Sequence, residues 1–451
     1  MEEEDKDLVT LLIEGSIEKA KQQFSSRTDL VDKCLKQWNA SEHKVMDQQS
    51  KKLIKGEIVE NWKLPIAYQR KIVGMAVAFL YGEPIKLKQD SKDTDDAFAL
   101  LESLRKDMRM AAKDQECAKI QMSETEVAKL FVAYRDVDAD PEDTSVYNSM
   151  KCIILAKSKG DIVHYQFDHY GVLKAVGREY KIKSNKRDID HFDVYTAETY
   201  FFCEKINGNW VTRTEDNLIG KIPIVLKQQD ESESQVVEEV IERREFLTSD
   251  RANANQRSGD PILVLEGEPV SLPGAKEVGK VIVLKQGSKA SYLVPQMSVD
   301  MVKDEKEDLK EIISYITDTP DLSMDKMTSM GLTSGKAIEM AFLGPTLKAK
   351  SKRGYESEMI DREINIIKAF MTKVIDKSSK MAEQVKKLKV SVEFGSPLPD
   401  NAEDFITTLV DAVGGKPIMS QKTAVELNPL VKDADAENLQ LQNESISAIE
   451  D

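Results

Sequence analysis

Cysteine, histidine and aromatic residues are all scarce in this chain of 451 residues: four Cys, four His, and 6% Phe, Trp and Tyr together. Cys34, Cys117, Cys152 and Cys203 lie at least 35 residues apart with no C-x-x-C. That spacing suggests neither a zinc ribbon nor a local disulfide framework, and predicts reduced, mostly buried thiols. His43, His164, His169 and His191 leave few candidates for general bases or zinc ligands. His164 and His169, an odd number of positions apart in what reads as strand, would point to opposite faces. The longest uncharged apolar stretch, between Lys71 and Glu83, is far short of the ~20 residues that span a membrane. The opening MEEEDKDLV lacks the basic and then apolar pattern of a secretory signal, which predicts a chain made and kept in a cytoplasm. An excess of cations is missing too. Lys and Arg number 64 against 79 Asp and Glu, a net charge of −15, which argues against a broad nucleic-acid grip built on clustered cations.

Enzyme signatures are also missing. Gly331-Leu-Thr-Ser-Gly335-Lys336-Ala337 approaches a phosphate loop but is one residue short between the glycines. It also carries Ala where the magnesium hydroxyl belongs, so it reads as a flexible loop entering a helix. Asp136-Val-Asp138-Ala-Asp140 resembles the opening of a calcium loop. Pro141 then replaces the required Gly and Tyr147 the bidentate Glu, so the run reads as a solvated acidic loop. No Ser/His/Asp or Cys/His set assembles without invented proximity. The expectation is a protein that is not an enzyme, with no cofactor and no metal.

What is present is 41% hydrophobic and 32% charged residues, a profile of a helix-rich α+β chain of two to four domains at roughly 150 residues each. A helix is predicted from Pro65, with Ile66, Ile72, Val73, Ala76, Val77, Phe79 and Leu80 on its apolar face and Gly82 and Pro84 stopping it. Further helix is predicted over about 95–130, with Phe98, Leu101, Leu104 and Met108 in step. From Val146 to Val225 short alternating runs predict an antiparallel sheet: Cys152-Ile-Ile-Leu-Ala, Ile162 to Phe167, Tyr195 to Phe202, and Trp210-Val. Asn207-Gly208 forms its clearest hairpin signal. A charged helix from Gln235 to about Gln256 has so narrow an apolar stripe that it must bridge solvent or pack on a neighbouring subunit. A small β insert with strands Ile262–Leu265 and Val281–Leu284 follows, and then a helix from Val299 with Leu309, Ile312, Ile313 and Ile316 as its seam. After the polar loop Ser323 to Ser334, a very long helix is predicted from about Lys336 to Ile375, kinked where Pro345 falls inside it. Leu388 to Phe394 reads as a returning strand. The tail from Asn401 holds short helices broken at Gly414-Gly415.

Four segments, taken in this order, resemble tailed-bacteriophage portal proteins of the Gp6-like family. They are Ala78-Phe-Leu-Tyr-Gly-Glu-Pro; Gly220-Lys-Ile-Pro-Ile-Val before the helix with Ser249-Asp-Arg-Ala-Asn; Ile316-Thr-Asp-Thr-Pro-Asp-Leu followed by Leu332-Thr-Ser-Gly-Lys-Ala-Ile; and Ile418-Met-Ser-Gln-Lys-Thr-Ala-Val-Glu. One stretch departs from the family, with Asp114-Gln-Glu-Cys-Ala-Lys-Ile where relatives often carry an Asp-x-x-x-Tyr-Gly-x-Ala turn. The resemblance implies a mainly helical α+β portal fold, assembled as a dodecameric ring at one capsid vertex. It divides the chain into wing (1–230), stem helix (231–258), clip (259–298), second stem helix (299–320), tunnel loop (321–335), long kinked helix (336–376), returning wing strand (377–400) and crown (401–451).

It also implies that double-stranded DNA passes through non-specifically. The implied partners are the terminase large subunit, major capsid and scaffolding proteins and a head–tail adaptor, with no membrane. The location implied is the virion, after assembly in a host cytoplasm. Candidate channel residues are Met324, Lys326, Met327, Met330, Lys336, Lys348, Lys350, Lys352 and Arg353, with Pro345 as a hinge. For each cation, exposure or a salt bridge between subunits is the alternative to DNA contact. A non-viral oligomeric helical scaffold is the alternative for the whole chain.

Overall fold

The computed structural model describes residues 6–49, 51–52, 58–135, 147–184, 187–258, 262–266, 269–271, 283–287, 289–293, 299–321, 323, 339–395, 402–414, 417–428, 430–431 and 433–450. The fold is α+β and mainly helical, in two compact units: residues 1–321 with 344–394, and residues 322–343 with 395–451. The acidic run Asp136 to Asp140, the near phosphate loop at 331–337, and the channel candidates Met324, Lys326, Met327, Met330 and Lys336 lie outside the described residues.

In the first unit, helices α1 (Leu8–Ile13), α2 (Ile17–Gln22) and α3 (Thr28–Trp38) precede a two-stranded ladder, β1 (Lys51–Lys52) with β2 (Ile58–Val59). Then come α4 (Tyr68–Tyr81), β3 (Lys86–Gln89), α5 (Asp95–Asp107) and α6 (Met110–Glu124). Helix α4 begins at Tyr68, not at Pro65, because the preceding segment is held extended by side chains described below. The region expected to be helical up to about 130 turns into strand β4 (Glu126–Tyr134). Thr125 takes a left-handed φ of 71° and ends α6. The run Val-Ala-Lys-Leu-Phe-Val is then claimed on both sides, by β5 (Ser149–Leu155) and by β11 (Ile224–Gln228). The apolar spacing alone fits either period, and pairing partners distant in sequence decide it.

A second sheet is an antiparallel meander of five strands: β6 (Ile162–Phe167), β7 (Leu173–Ser184), β8 (Arg187–Thr196), β9 (Thr199–Ile206) and β10 (Asn209–Asp216). The hairpin at Asn207-Gly208 forms as its residues predict, with φ of 52° and 90°. Tyr195 to Phe202, read as one run, is two strands, because the Thr196 hydroxyl accepts from the Glu198 and Thr199 amides and closes a turn between them. Leu12 and Ile17 cover Phe192, Val194 and Phe201 on one face of this sheet. Val163, Val176 and Tyr195 join it to Leu130 and Leu226 of the three-stranded sheet.

Helix α7 (Glu238–Ser258), strands β12 (Ile262–Glu266), β13 (Pro269–Ser271), β14 (Val283–Leu284) and β15 (Lys289–Leu293), and helix α8 (Val299–Ile316) give the expected order of helix, β insert and helix. Strand β12 pairs with β15, and β13 with β14. Only Ile313 of the expected α8 seam is buried, against Val237, Ile241 and Ile72.

Helix α9 (Leu343–Phe370) is the spine of the unit. Its Met359, Ile360, Ile364, Ile367 and Phe370 pack with Leu101, Leu104, Phe131 and Val225, each buried Ile or Leu contributing about 1.5–3 kcal/mol. Within α9 the helix runs unbroken from Leu343 to Phe370, and the break in the longer helical run lies at Phe342, three residues before Pro345. A turn at Phe342 separates α9 from residues 339–341, and Pro345 is the third residue of α9. In a first turn the missing proline N–H breaks no helical bond. At the other end the helix widens into a π turn, Met371–Ile375. Helix α10 (Ser379–Lys387), which the sequence reading omits, leads to β16 (Val390–Glu393), the expected returning strand, antiparallel to β3. In the second unit, α11 (Ala402–Val413), α12 (Gln421–Leu427) and α13 (Ala434–Glu450) form the tail, with α11 ending next to Gly414 as expected.

Candidate channel anchor and buried charge network

Three arrangements hold α7, α8 and α9 in place. The first is a ladder along α7. Residues 62–66 run beside the helix. The amides of Trp62, Leu64 and Ile66 donate to Asn253 Oδ1 (2.7 Å), Ser249 Oγ (3.0 Å) and Glu245 Oε1 (2.6 Å). Asn253 also returns a bond from Nδ2 to the Trp62 carbonyl at 3.2 Å. Two extended residues advance about 6.6 Å and four helical residues about 6 Å, so alternate amides meet every fourth helix side chain. The Ser249-Asp-Arg-Ala-Asn253 motif that carries part of the family resemblance thus supplies two of the three rungs. Glu245 also takes a bond from His43 Nδ1 at 2.7 Å, while His43 Nε2 lies 2.7 Å from the Gln37 carbonyl. Both partners are acceptors, so the two bonds can be donated together only by the protonated ring, and the site favours the imidazolium. The bond to Glu245 raises its pKa, and the Gln37 carbonyl adds to this against the opposing effect of burial.

The second arrangement anchors the two chain segments that flank residues 322–343. Asp318 has a left-handed φ of 52°, and the Thr317 hydroxyl caps the end of α8 by donating to the Ile313 carbonyl at 2.7 Å. Lys348 donates to the Thr317 carbonyl at 3.0 Å and pairs with Glu233 at 2.7 Å, and Lys352 pairs with the same carboxylate at 2.5 Å. Burial acts to raise the Glu233 pKa, but the Lys352 and Lys348 ammoniums outweigh it and hold the carboxyl below its ordinary range. A Cβ on Gly344 would lie 2.7 Å from Asp318 Oδ1, so a side chain there would displace the Asp318 carboxylate.

The third is a buried charge network around α9. Arg105 of α5 and Lys129 of β4 both grip Glu363 and Asp114, with Lys129 to Glu363 at 2.8 Å. Next to them Lys227 of β11 pairs with Glu356, which also accepts from Tyr81 Oη at 2.6 Å. The set holds three cations and three carboxylates, so it is neutral as a whole. The Lys129 ammonium and Arg105 guanidinium keep Glu363 below its ordinary range despite its burial. Every charge has a counter-charge, which leaves a clamp between helix and sheet and no group placed to exchange protons with a ligand. Burial pushes the Cys117 and Cys203 thiols up to about 11 and Cys152 up to about 12, which makes them poor nucleophiles at neutral pH. Among the described residues no cluster of His, Cys, Asp and Glu could hold a metal.

The structure places the described channel candidates in different surroundings. Lys348 and Lys352 are bound to Glu233 within the same chain. Arg353 lies over the Phe394 ring at 5.4 Å, Lys350 is exposed, and Pro345 is buried in the first turn of α9. The sequence reading missed the six network charges and Glu233. A signal was there for some of them: Lys129 interrupts Val-Ala-Lys-Leu-Phe-Val, and Glu356 and Glu363 fall four before and three after Ile360 on the apolar stripe.

A family model described as "Phage portal protein, SPP1 Gp6-like" matches residues 17–451. Solved structures similar to this chain include "Neck of empty GTA particle computed with C6 symmetry", at 10% identity and a TM-score of 0.43, covering 82% of this chain and 90% of that one. Another is "Neck of native GTA particle computed with C12 symmetry", at 10% identity and 0.39, covering 81% and 93%. A third is "Virion of native gene transfer agent (GTA) particle", at 10% and 0.39, covering 80% and 89%. No curated protein matches the chain.

Proposed function

This chain belongs to the phage portal protein family, SPP1 Gp6-like, and from that premise we propose that its copies close into a dodecameric ring whose channel passes double-stranded DNA during packaging and ejection. It is a structural protein of the virion, at the capsid vertex. The family match over residues 17–451 carries this reading and overturns the alternative of a non-viral scaffold. A single chain leaves Tyr315 of α8 86% exposed and Met301 72% exposed, with Val236 exposed just before α7. Apolar groups on two narrow, highly charged helices are what a neighbouring copy would cover. A channel must also let DNA slide. Each phosphate held adds about 0.9 to the salt dependence of binding, so a ring of strong phosphate contacts would stall passage. Net acidity, with Lys348 and Lys352 both held by the Glu233 carboxylate, supports weak contact. The β insert at 259–298 is the proposed docking surface for the terminase large subunit and later the head–tail adaptor. The wing (1–230) is the proposed contact for major capsid and scaffolding proteins.

Negative-stain electron microscopy of the purified full chain tests the reading. Closed rings with a central hole are expected, and monomers or open filaments would sink it.

A further inference from the structure

Outside the anchor and the charge network, the structure contains a cleft of about 570 Å³ whose walls are Ile85, Lys86, Leu87 and Lys88 on one side and residues 102–111 on the other. Successive residues of a strand point to opposite faces. Lys86, Leu87 and Lys88, three in a row on β3 with Ile85 just before it, can border one cleft only if it runs along the edge of the strand. Strand β3 pairs with β16 on one edge, and no strand pairs with its other edge among the described residues. That open edge therefore lines the cleft. The opposite wall is cationic: Lys106 and Arg109 are exposed there, as Lys86 and Lys88 are on β3, against one lining acid, Glu102. Arg105 also borders the cleft but is committed to Glu363 and Asp114. Lys88 reaches Glu393 at 2.7 Å in a solvent-exposed pair, a contact worth little. Arg109 adopts a left-handed φ of 55° ahead of α6, whose first turn has no side-chain cap and no acidic residue, so its amides add to the positive character of that wall. In a chain of net charge −15 this is a local reversal of sign.

We propose that the cleft is a docking groove for an extended acidic peptide of a partner protein, which adds to β3 as a third strand. The pleat specifies the pattern of the peptide. Residues on the face shared with Lys86 and Lys88 are Asp or Glu, and the alternate residues, on the face of Ile85 and Leu87, are apolar. Main-chain bonds to the free edge supply affinity, and the cations select charge and speed encounter. A nucleic-acid duplex is a poorer fit. It is too wide to enter such a cleft, it has no strand to pair with, and Ile85, Leu87 and Met110 give it nothing to bind. The proposal does not depend on the ring reading.

The test uses a fluorescein-labelled peptide of roughly six residues alternating Val and Glu, titrated with the full-length chain and followed by anisotropy at low salt. Saturable binding is expected. It should weaken about tenfold or more in the triple variant Lys86→Glu, Lys106→Glu, Arg109→Glu, three exposed positions whose replacement leaves the core untouched. It should also be lost for the same peptide carrying N-methyl groups on alternate amides, a measurement that leaves the protein unaltered. No binding to the wild type would overturn the proposal, as would equal binding of the N-methylated peptide. A duplex oligonucleotide that displaces the peptide and weakens in the same triple variant would overturn it in favour of a phosphate-backbone site. Ring formation scored on the same samples keeps failure of this groove distinct from failure of the ring.

Discussion

Removing Lys129 from water costs several kcal/mol, and the cost is met only because Asp114 and Glu363 close on its ammonium from two sides. Lys129→Met would leave those two carboxylates facing Arg105 alone. A loss of about 3–5 kcal/mol is expected in guanidinium unfolding, whereas Lys350→Met, at an exposed position, should fall within about 0.5 kcal/mol of the wild type. Equal effects would mean that the network is not holding the spine. His43 makes a prediction with a definite sign. Its folded-state pKa is raised, so its stabilisation is fully present below the unfolded value of about 6.5 and is lost as pH rises through the folded value. Neighbouring Glu242 acts in the same direction as Glu245, as Glu242 also pairs with Lys44 at 2.8 Å. The melting temperature of the wild type should therefore carry a decline above about pH 6.5 that His43→Gln lacks. The same decline in both proteins would remove the imidazolium from the account.

At the scale of elements, two helices are held by different means. Helix α7 has little apolar surface and depends on its ladder. Ser249→Ala with Asn253→Ala removes the acceptors of the Leu64 and Trp62 amides, and each unmet amide costs about 1–3 kcal/mol where water cannot reach. Hydrogen exchange should show the Trp62 and Leu64 amides losing protection while those of α9 keep theirs. Unchanged protection at 62 and 64 would contradict the ladder. Helix α9 depends on packing. Ile360→Ala, at a fully buried position, should cost about 2–5 kcal/mol. Pro345→Ala acts in a first turn and should change stability by about 1 kcal/mol or less, against the roughly 3 kcal/mol associated with a helix-interior proline. A large change on Pro345→Ala would restore the interior hinge.

For the whole molecule, the β insert sits in the chain between two helices that already pack on one another through Ile241 and Ile313. Deleting residues 261–294 and bridging α7 to α8 should leave rings visible by electron microscopy and abolish DNA packaging. Normal packaging by that variant would remove the insert as the motor's docking surface. Much of this organisation is legible from local rules. The Asn207-Gly208 hairpin follows from two residues that tolerate positive φ, the order of helix, insert and helix follows from hydrophobic period, and the break at Gly414 follows from helix-ending chemistry. These signals are local, so a single stretch of chain determines them. What the sequence left open depended on partners far away in the chain. Val127 to Val132 became strand because β5 and β11 flank it, residues 62–66 stayed out of helix because Glu245, Ser249 and Asn253 took their alternate amides, and Pro345 falls in the first turn of α9, just after the break at Phe342. The intrachain partners of Lys348 and Lys352 were likewise set by the fold. Lys348 and Lys352 read as solvent-facing charges until the fold sets Glu233 between them. A charge carries no mark in the sequence of which distant counter-charge it will meet, and only the tertiary structure supplies that meeting.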